Sequence, residues 1–361
     1  MSRPTIPVDF SHAPALVIWE ATRACDLACR HCRAEAQPAP LPGELNDAEA
    51  LAMLDEVRRE FGPVILVITG GDPLKRPGLE RIIAHGSTLG LTMAMTPSAT
   101  PLLTVPVLAR LRAAGLQRLA LSLDGADAAT HDGFRGVPGT FARTIELLQE
   151  APRFGLTTQI NTTVTRPILE QIPAIRDLCA WLDVSQWSLF MVVPTGRAEH
   201  NMLPSPGEHE RLYRQVATWA LDPGTTMMIK TTAGQPYYRV LEQERQRRHL
   251  PPPRFGGSGV NDGNGFVFVS CTGEICPSGF LATPCGDVRH DGLARTYREH
   301  PLFAALRRPE GFSGKCAVCP HNHRCGGSRS RAYALTGDAL GSDPTCAYIP
   351  AAYAEATRLS A

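Results

Sequence analysis

The sequence predicts an α/β fold built on a parallel sheet, and three observations lead there. Short apolar runs alternate with amphipathic segments, the runs are nearly continuous in apolar character, and cap or stop residues stand at several borders between them. Strands without polar alternation, each followed by a helical pattern, imply a parallel sheet covered by helices. Six such units make three quarters of an eight-unit barrel, or an open doubly wound sheet. In both arrangements ligands bind at the carboxyl ends of the strands.

The strand candidates are LVIWEAT from Leu16, VILVIT from Val64, LTMAMT from Leu91, RLALSLD from Arg118, TTQINTTV from Thr157 and WSLFMVV from Trp187. Between them lie helical patterns such as DAEALAMLDEVRREF, PVLARLRAAG and GTFARTIELLQEA. Asp47 and Thr140 are read as N-caps, and Gly115 and Gly155 as stops. A second texture begins near Gly196, where LPSPGE and HLPPPRFGGSGVNDGNG separate a few helices from a compact Cys-rich piece. There is no internal repeat and no low-complexity tract. Arg245–Arg248 with His249 reads as a solvated helix face.

At 361 residues the chain can bury a sizeable core without disulfides. Its 36 basic and 35 acidic side chains leave a net charge of +1, which argues against a nucleic-acid binder driven by bulk electrostatics. No stretch of about 18 consecutive apolar residues predicts a membrane helix. The first twenty residues lack a basic region followed by an apolar run, so no secretory signal is read there. The expected compartment is the cytoplasm. Thiols stay reduced there, so the 11 cysteines read as metal ligands or reactive groups before disulfides.

The first three fall in Thr22-Arg-Ala-Cys25-Asp-Leu-Ala-Cys29-Arg-His-Cys32, directly after the first strand. Three thiolates in eight residues can hold three irons of a [4Fe–4S] cube and leave the fourth without a protein ligand. An open metal position is where substrate chemistry happens. The alternative, a zinc knuckle, generally uses paired Cys-x-x-Cys arms.

The Cys-x-x-x-Cys-x-x-Cys run resembles the signature of the radical SAM superfamily. The resemblance implies a (β/α)6 partial barrel. It also implies that S-adenosylmethionine (SAM) chelates the open iron and is cleaved by an electron from the cluster to a 5′-deoxyadenosyl radical, which abstracts a substrate hydrogen. The electron would come from an external flavodoxin- or ferredoxin-like donor. His31, before the last cysteine, stands where the family packs a side chain on the adenine. Gly70-Gly71-Asp72-Pro73 resembles the family's Gly-Gly-Glu-Pro, which receives the methionyl ammonium, with Asp72 one methylene shorter than the usual Glu. Ser98 follows the third strand, where the family presents polar side chains to the ligand. Ser122 and Asp124 end the fourth, and Arg135 follows; their equivalents bind the SAM carboxylate. Asn161, with Thr163, would reach the ribose, and Val193 would contact adenine through its backbone.

The C-terminal pattern Cys316-Ala-Val-Cys319-Pro-His-Asn-His-Arg-Cys325-Gly-Gly, closed by Cys346, can fill a second cube or make a four-cysteine zinc site. It resembles the SPASM extension of radical SAM enzymes, in the branch of haem and haem-d1 biosynthesis, and implies an auxiliary [4Fe–4S] cluster. The expected division is a radical SAM core over residues 14–235 and a SPASM-like domain over 236–361. Ser328, Arg329 and Ser278 stand where the SPASM pattern offers further cysteines, so an inner auxiliary cluster lacks its usual ligands. Cys271, Cys276 and Cys285 stand at other offsets and are weighed as ordinary cysteines before a substitute set, while Cys179 reads as core. His321 and His323 read as hydrogen-bond donors beside the cluster or as solvent-facing groups. Tyr237, Tyr238, Arg331 and Tyr333 face a substrate or pack in the core.

Together these imply a radical SAM oxidoreductase whose substrate is a small molecule, a tetrapyrrole losing propionate carboxyls, or a ribosomally made peptide. About fifteen residues precede the first strand, too few for the peptide-recognition domain that peptide-modifying members often carry, which favours the small-molecule or tetrapyrrole reading. The alternatives are a radical SAM transferase of methyl or aminocarboxypropyl groups, and a non-catalytic zinc or iron–sulfur module.

Overall fold

A computed structural model describes residues 9–253 and 260–359. Part of the N-terminal stretch searched for a signal, and part of the Pro- and Gly-rich stretch after His249, lie outside the described residues.

Among the described residues ten strands form one sheet: β1 (Leu16–Glu20), β2 (Ile65–Thr69), β3 (Thr92–Met95), β4 (Arg118–Ser122), β5 (Thr157–Val164), β6 (Gln186–Met191), β7 (Met228–Thr232), β8 (Phe266–Val269), β9 (Glu274–Cys276) and β10 (Gly286–Asp287). Their order is β10-β9-β8-β1-β2-β3-β4-β5-β6-β7. The run β1 to β7 is parallel and strictly consecutive, β8 joins β1 in parallel, and β9 and β10 are antiparallel. Right-handed crossovers that always step the same way put all their helices on one face. A doubly wound sheet would reverse its order at a switch point. The consecutive order is that of a partial barrel, which settles the two arrangements left open by the periodicity. No helix among the described residues is long and apolar enough to cross a membrane.

The helix-covered face forms the core, with Val17, Trp19, Leu66, Ile68, Met93, Leu119, Leu121, Ile160, Trp187 and Ile229 all buried in it. The other face is not uniformly apolar, which corrects the expectation of strands buried on both sides. Leu16, Ile18, Ile65 and Val67 keep it apolar on β1 and β2, whereas β5 alternates buried residues with the half-buried Gln159, Asn161 and Thr163. A parallel sheet can leave this face polar only where it lines a space for a ligand, because buried polar groups need partners.

Two helix starts also differ from expectation. Asn46, not Asp47, caps the helix Asp47–Phe61: its side chain accepts from the Glu49 N–H while Glu49 accepts from the Asn46 N–H. Gly139, not Thr140, precedes the helix Thr140–Glu150 in a left-handed conformation with φ of 84°. Asp47 instead pairs with Arg76 and Arg81. Arg245, Arg247 and Arg248 pair with Glu242 and Glu244, as a solvated helix face does. Strand β7 was not among the expected six, and it extends the parallel run beyond Gly196.

Candidate functional site

The loop between β1 and the helix Asp47–Phe61 carries Cys25, Cys29 and Cys32, which pack together with Leu27, Ala36 and Val137. Its ends are tied by one carboxylate: Glu44 Oε1 accepts from Thr22 Oγ1 at 3.1 Å, Arg23 N at 2.8 Å and Leu41 N at 3.0 Å. Lys75 pairs with Asp26 and donates to the Pro38 carbonyl at 2.9 Å, clipping the loop a second time. Each sulfur has its own donor. Leu27 N donates to Cys25 Sγ at 3.4 Å and Ala36 N to Cys32 Sγ at 3.4 Å, while Arg135 donates to Cys29 Sγ at 3.5 Å. Ser98 Oγ lies 3.6 Å from Cys25 Sγ and donates to the Gly71 carbonyl at 3.2 Å. N–H groups and a cation around thiolates offset the negative charge that a cluster gathers there.

The glycines explain how β2 meets this loop. Gly71 N donates to Thr22 O at 2.8 Å and Asp72 N to Ala24 O at 2.7 Å. A Cβ on Gly70 would run into the Thr22 backbone, and one on Gly71 into the Arg23 and Ala24 carbonyls. Asp72 is buried and turned to Thr100 Oγ1 at 2.8 Å and Leu74 N at 3.2 Å. Burial raises its pKa above the ordinary aspartate value.

Asp124 and Arg135 form a buried ion pair at 2.6 Å, and Asp124 Oδ1 also accepts from Thr163 N at 2.6 Å. Burial alone would raise Asp124, yet the Arg135 charge beside it holds it below the usual carboxylate range. Arg135 therefore joins a cysteine sulfur to the end of β4. His31 stacks on Phe134, centroids 4.4 Å apart and rings 2° from parallel, and its buried Nδ1 has no hydrogen-bond partner. Burial pushes its pKa down to about 4, so the ring is neutral at physiological pH. Ser122 and Asn161 stand opposite one another on β4 and β5, and Asn161 Oδ1 accepts from Gln159 Nε2 at 2.6 Å. The Val193 carbonyl accepts from Thr195 N at 2.8 Å.

Arg197 is a site residue that the motifs did not single out. Its backbone N–H donates to Cys32 O at 3.1 Å and its Nη1 to Ala36 O at 3.3 Å, while Nε and Nη2 are buried without partners. An orphaned guanidinium beside the cysteine loop fits a site whose anionic occupant supplies the missing acceptors. Glu20, Arg33 and Arg23 form a further charged group at the end of β1, at 3.1 Å and 3.3 Å.

In the C-terminal part, Cys316, Cys319, Cys325 and Cys346 line one small cavity with Arg239, Lys315 and Tyr348. Arg329 donates to Cys316 Sγ at 3.6 Å, Gly327 N to Cys325 Sγ at 3.4 Å and Lys315 Nζ to Cys346 O at 2.7 Å. Gly326 and Gly327 take φ of 66° and 68°, a consecutive left-handed turn that only glycines adopt readily. Four sulfurs around one space, with Arg239 and Lys315 at its wall and Arg329 against Cys316, fit a cluster held at all four corners. Among the described residues no three Cys, His, Asp or Glu side chains converge on a single ion. A cube does not require such convergence, because each thiolate takes its own iron.

The positions that lack expected cysteines are filled by caps. Ser278 Oγ accepts from Phe280 N at 3.2 Å and Leu281 N at 3.0 Å, and Ser328 Oγ accepts from Arg331 N at 3.2 Å. Arg331 and Asp343 beside them form a fully buried two-bond ion pair at 3.1 and 2.7 Å. Cys276 stands near Cys285, while Cys271 lies against Glu20 and Arg23; burial pushes these thiols up to about 12, 11 and 12. Cys179 is core. Tyr237 is also buried and Tyr333 exposed, so these two do not share a face. His321 packs edge-on to Tyr348, and His323 is exposed.

Arg331→Met would leave Asp343 buried without its counter-charge, a loss of about 3–5 kcal/mol. The expected outcome is a clear fall in the urea midpoint of the holoprotein; an unchanged midpoint would show that the pair adds nothing.

Comparisons with known proteins show the family and the fold. Residues 19–178 match the model of the radical SAM superfamily. The chain is 39% identical over 358 residues to the AdoMet-dependent heme synthase of Oleidesulfovibrio alaskensis, covering 97% of this chain and 91% of that one. It is 27% identical to the pre-heme d1 synthase of Dinoroseobacter shibae, covering 93% and 87%. Among solved structures, Streptococcus suis SuiB bound to S-adenosylmethionine superposes with a TM-score of 0.70 at 17% identity, covering 93% of this chain and 78% of that one, a likeness of fold.

Proposed function

Given that the chain belongs to the radical SAM superfamily, in the branch of the AdoMet-dependent heme synthases, we propose that it oxidatively removes propionate carboxyls from a tetrapyrrole. Cys25, Cys29 and Cys32 would hold three irons of one [4Fe–4S] cluster and leave the fourth to SAM. Cys316, Cys319, Cys325 and Cys346, in a SPASM-like domain over residues 236–361, would hold an auxiliary cluster. When bound, these groups supply the electron transfer and the C–H abstraction that side chains cannot.

The chain's own residues bind, orient and shield. Arg135, held by Asp124, would offset sulfur charge at Cys29 and, with Ser122, face the SAM carboxylate. Gly70 and Gly71 let β2 approach the cysteine loop closely enough to present carbonyls to the ammonium, and Asp72 fixes the turn that carries Ser98. His31, backed by Phe134, has one ring face left for the adenine, whose edge would meet the Val193 backbone. Asn161 would take the ribose. Arg239, Lys315 and Arg329 would lower the charge of the auxiliary site, and a flavodoxin- or ferredoxin-like donor would supply electrons.

The tetrapyrrole part of this reading is supported by the 39% identity to an AdoMet-dependent heme synthase, and the observation that carries the SAM site is the surroundings of the first three sulfurs. Backbone N–H groups, a serine hydroxyl and a guanidinium stand beside them, not a fourth thiol. Anaerobic reconstitution tests it: two cubes bring about eight irons per chain, and reduction with SAM releases 5′-deoxyadenosine. Methylthioadenosine instead would mark a transferase, and one tightly held zinc without iron a binding module.

A further inference from the structure

Of the 36 basic residues in the chain, only three are lysines: Lys75, Lys230 and Lys315. Lys75 is tied to Asp26 and Pro38, and Lys315 to Cys346. Lys230 is different. Among the described residues its side chain has neither a hydrogen bond nor an ion pair.

Its position is set by the sheet. Ile229 and Thr231 are buried on the helix-covered side of β7, so alternation places Lys230, half-buried, on the inner face. In register with it stand Ser188 on β6, Asn161 on β5 and Ser122 on β4. Strands lie about 4.8 Å apart, so Lys230 stands roughly 10 Å from Asn161 along the sheet. The intervening polar groups are satisfied among themselves. Gln186 Nε2 donates to Gln159 Oε1 at 2.6 Å and to Ser188 Oγ at 3.0 Å, and Gln159 Nε2 donates to Asn161 Oδ1 at 2.6 Å. The neighbouring charge is Arg118, of the same sign, and burial together with it depresses the Lys230 pKa. A half-buried ammonium without a counter-ion is costly unless an anion arrives to pair with it. Across the sheet, β8, β1 and β2 offer an apolar wall through Phe266, Ile18 and Val67, while Arg33 covers the Phe268 ring beside it. The occupant that suits both walls has an apolar body and an anionic edge on the β7 side.

We propose that Lys230 anchors a substrate carboxylate, a propionate other than the one that reacts, holding a tetrapyrrole across the inner face so that its opposite edge meets the Ser122–Asn161 end. This rests on the function proposed above.

Spectrophotometric titration of the reconstituted holoenzyme with iron coproporphyrin III, as the free acid and as the tetramethyl ester, tests the anchor. Lys230→Met should bind the acid about tenfold or more weakly, since a charge-assisted bond contributes about 1.5–3 kcal/mol. Lys230→Arg should recover part of the loss. The ester should bind wild type and Lys230→Met alike. Equal affinity for the acid in both proteins overturns the anchor and leaves the proposed function standing, and so does an equal loss for acid and ester, which marks a packing role. If wild type binds neither form, the tetrapyrrole reading falls, and propionate alone decides the lysine. With only three lysines, reductive 13C-methylation gives a separable Lys230 signal, identified by its absence in Lys230→Arg. A rise in its titration midpoint on adding propionate keeps the carboxylate site, and an unmoved midpoint rejects it.

Discussion

Cys29→Ala abolishes 5′-deoxyadenosine formation and leaves about four irons per chain, those of the auxiliary site. The expectation follows from the loop's construction. Cys29 is buried and receives the Arg135 guanidinium at 3.5 Å, while Cys25 and Cys32 receive backbone N–H groups. Without Cys29 two thiolates remain for a cluster that already lacks a fourth protein ligand. The fold should survive, because Arg135 keeps its buried ion pair with Asp124 at 2.6 Å and Glu44 still ties the loop ends. Circular dichroism separates the two effects: an unchanged spectrum with a loss of turnover of about a thousandfold or more is the expected result. Deoxyadenosine at the wild-type rate would place the SAM site elsewhere.

The second large effect is its counterpart at the other end of the chain. Cys319→Ala should remove the irons of the auxiliary cluster, again about four, and spare SAM cleavage, yielding deoxyadenosine without substrate product. Cys319 lines the cavity with three other cysteines, Arg239 and Lys315, none of which belongs to the Cys25–Cys32 loop. Hydrogen abstraction leaves a substrate radical, and completing an oxidation needs a site that accepts one more electron. Anaerobic assays that count deoxyadenosine and product together read the coupling directly. Retained product formation would show that the second electron leaves by another route.

Much of this was legible in the chain. Strands β1 to β4 and β6 announce themselves because their helix-facing positions are Val, Ile, Leu, Met and Trp, whereas β5 puts Thr158 and Thr162 beside Ile160 and Val164 on that side and reads through its β-branched composition. Strand β7, Met-Ile-Lys-Thr-Thr, hides because its inner face is polar and includes Lys230, so neither an apolar run nor a strict alternation marks it. Strand β8 was legible only as part of the Cys-rich piece, since pairing with β1 across more than two hundred residues leaves no local trace. The helix starts slipped by one residue because Asn46 and Asp47 are both capable caps, and the choice is made by which oxygen reaches the Glu49 N–H. At the site, thiol spacing is local and was readable. The groups that hold the thiols, Glu44, Lys75, Arg197 and Phe134, act through contacts distant in sequence, and no motif encodes them. The buried Arg331–Asp343 pair and the Ser278 and Ser328 caps likewise emerge only from packing, although the missing cysteines at those serines were visible.

The most direct test of the central claim is the iron coordination of the reconstituted protein with SAM added, seen by crystallography with anomalous iron scattering. The expected result is a cube bonded to Cys25, Cys29 and Cys32, with the amino and carboxylate groups of SAM on its remaining iron. A fourth side chain on that iron, or a single zinc among the three sulfurs, would contradict it.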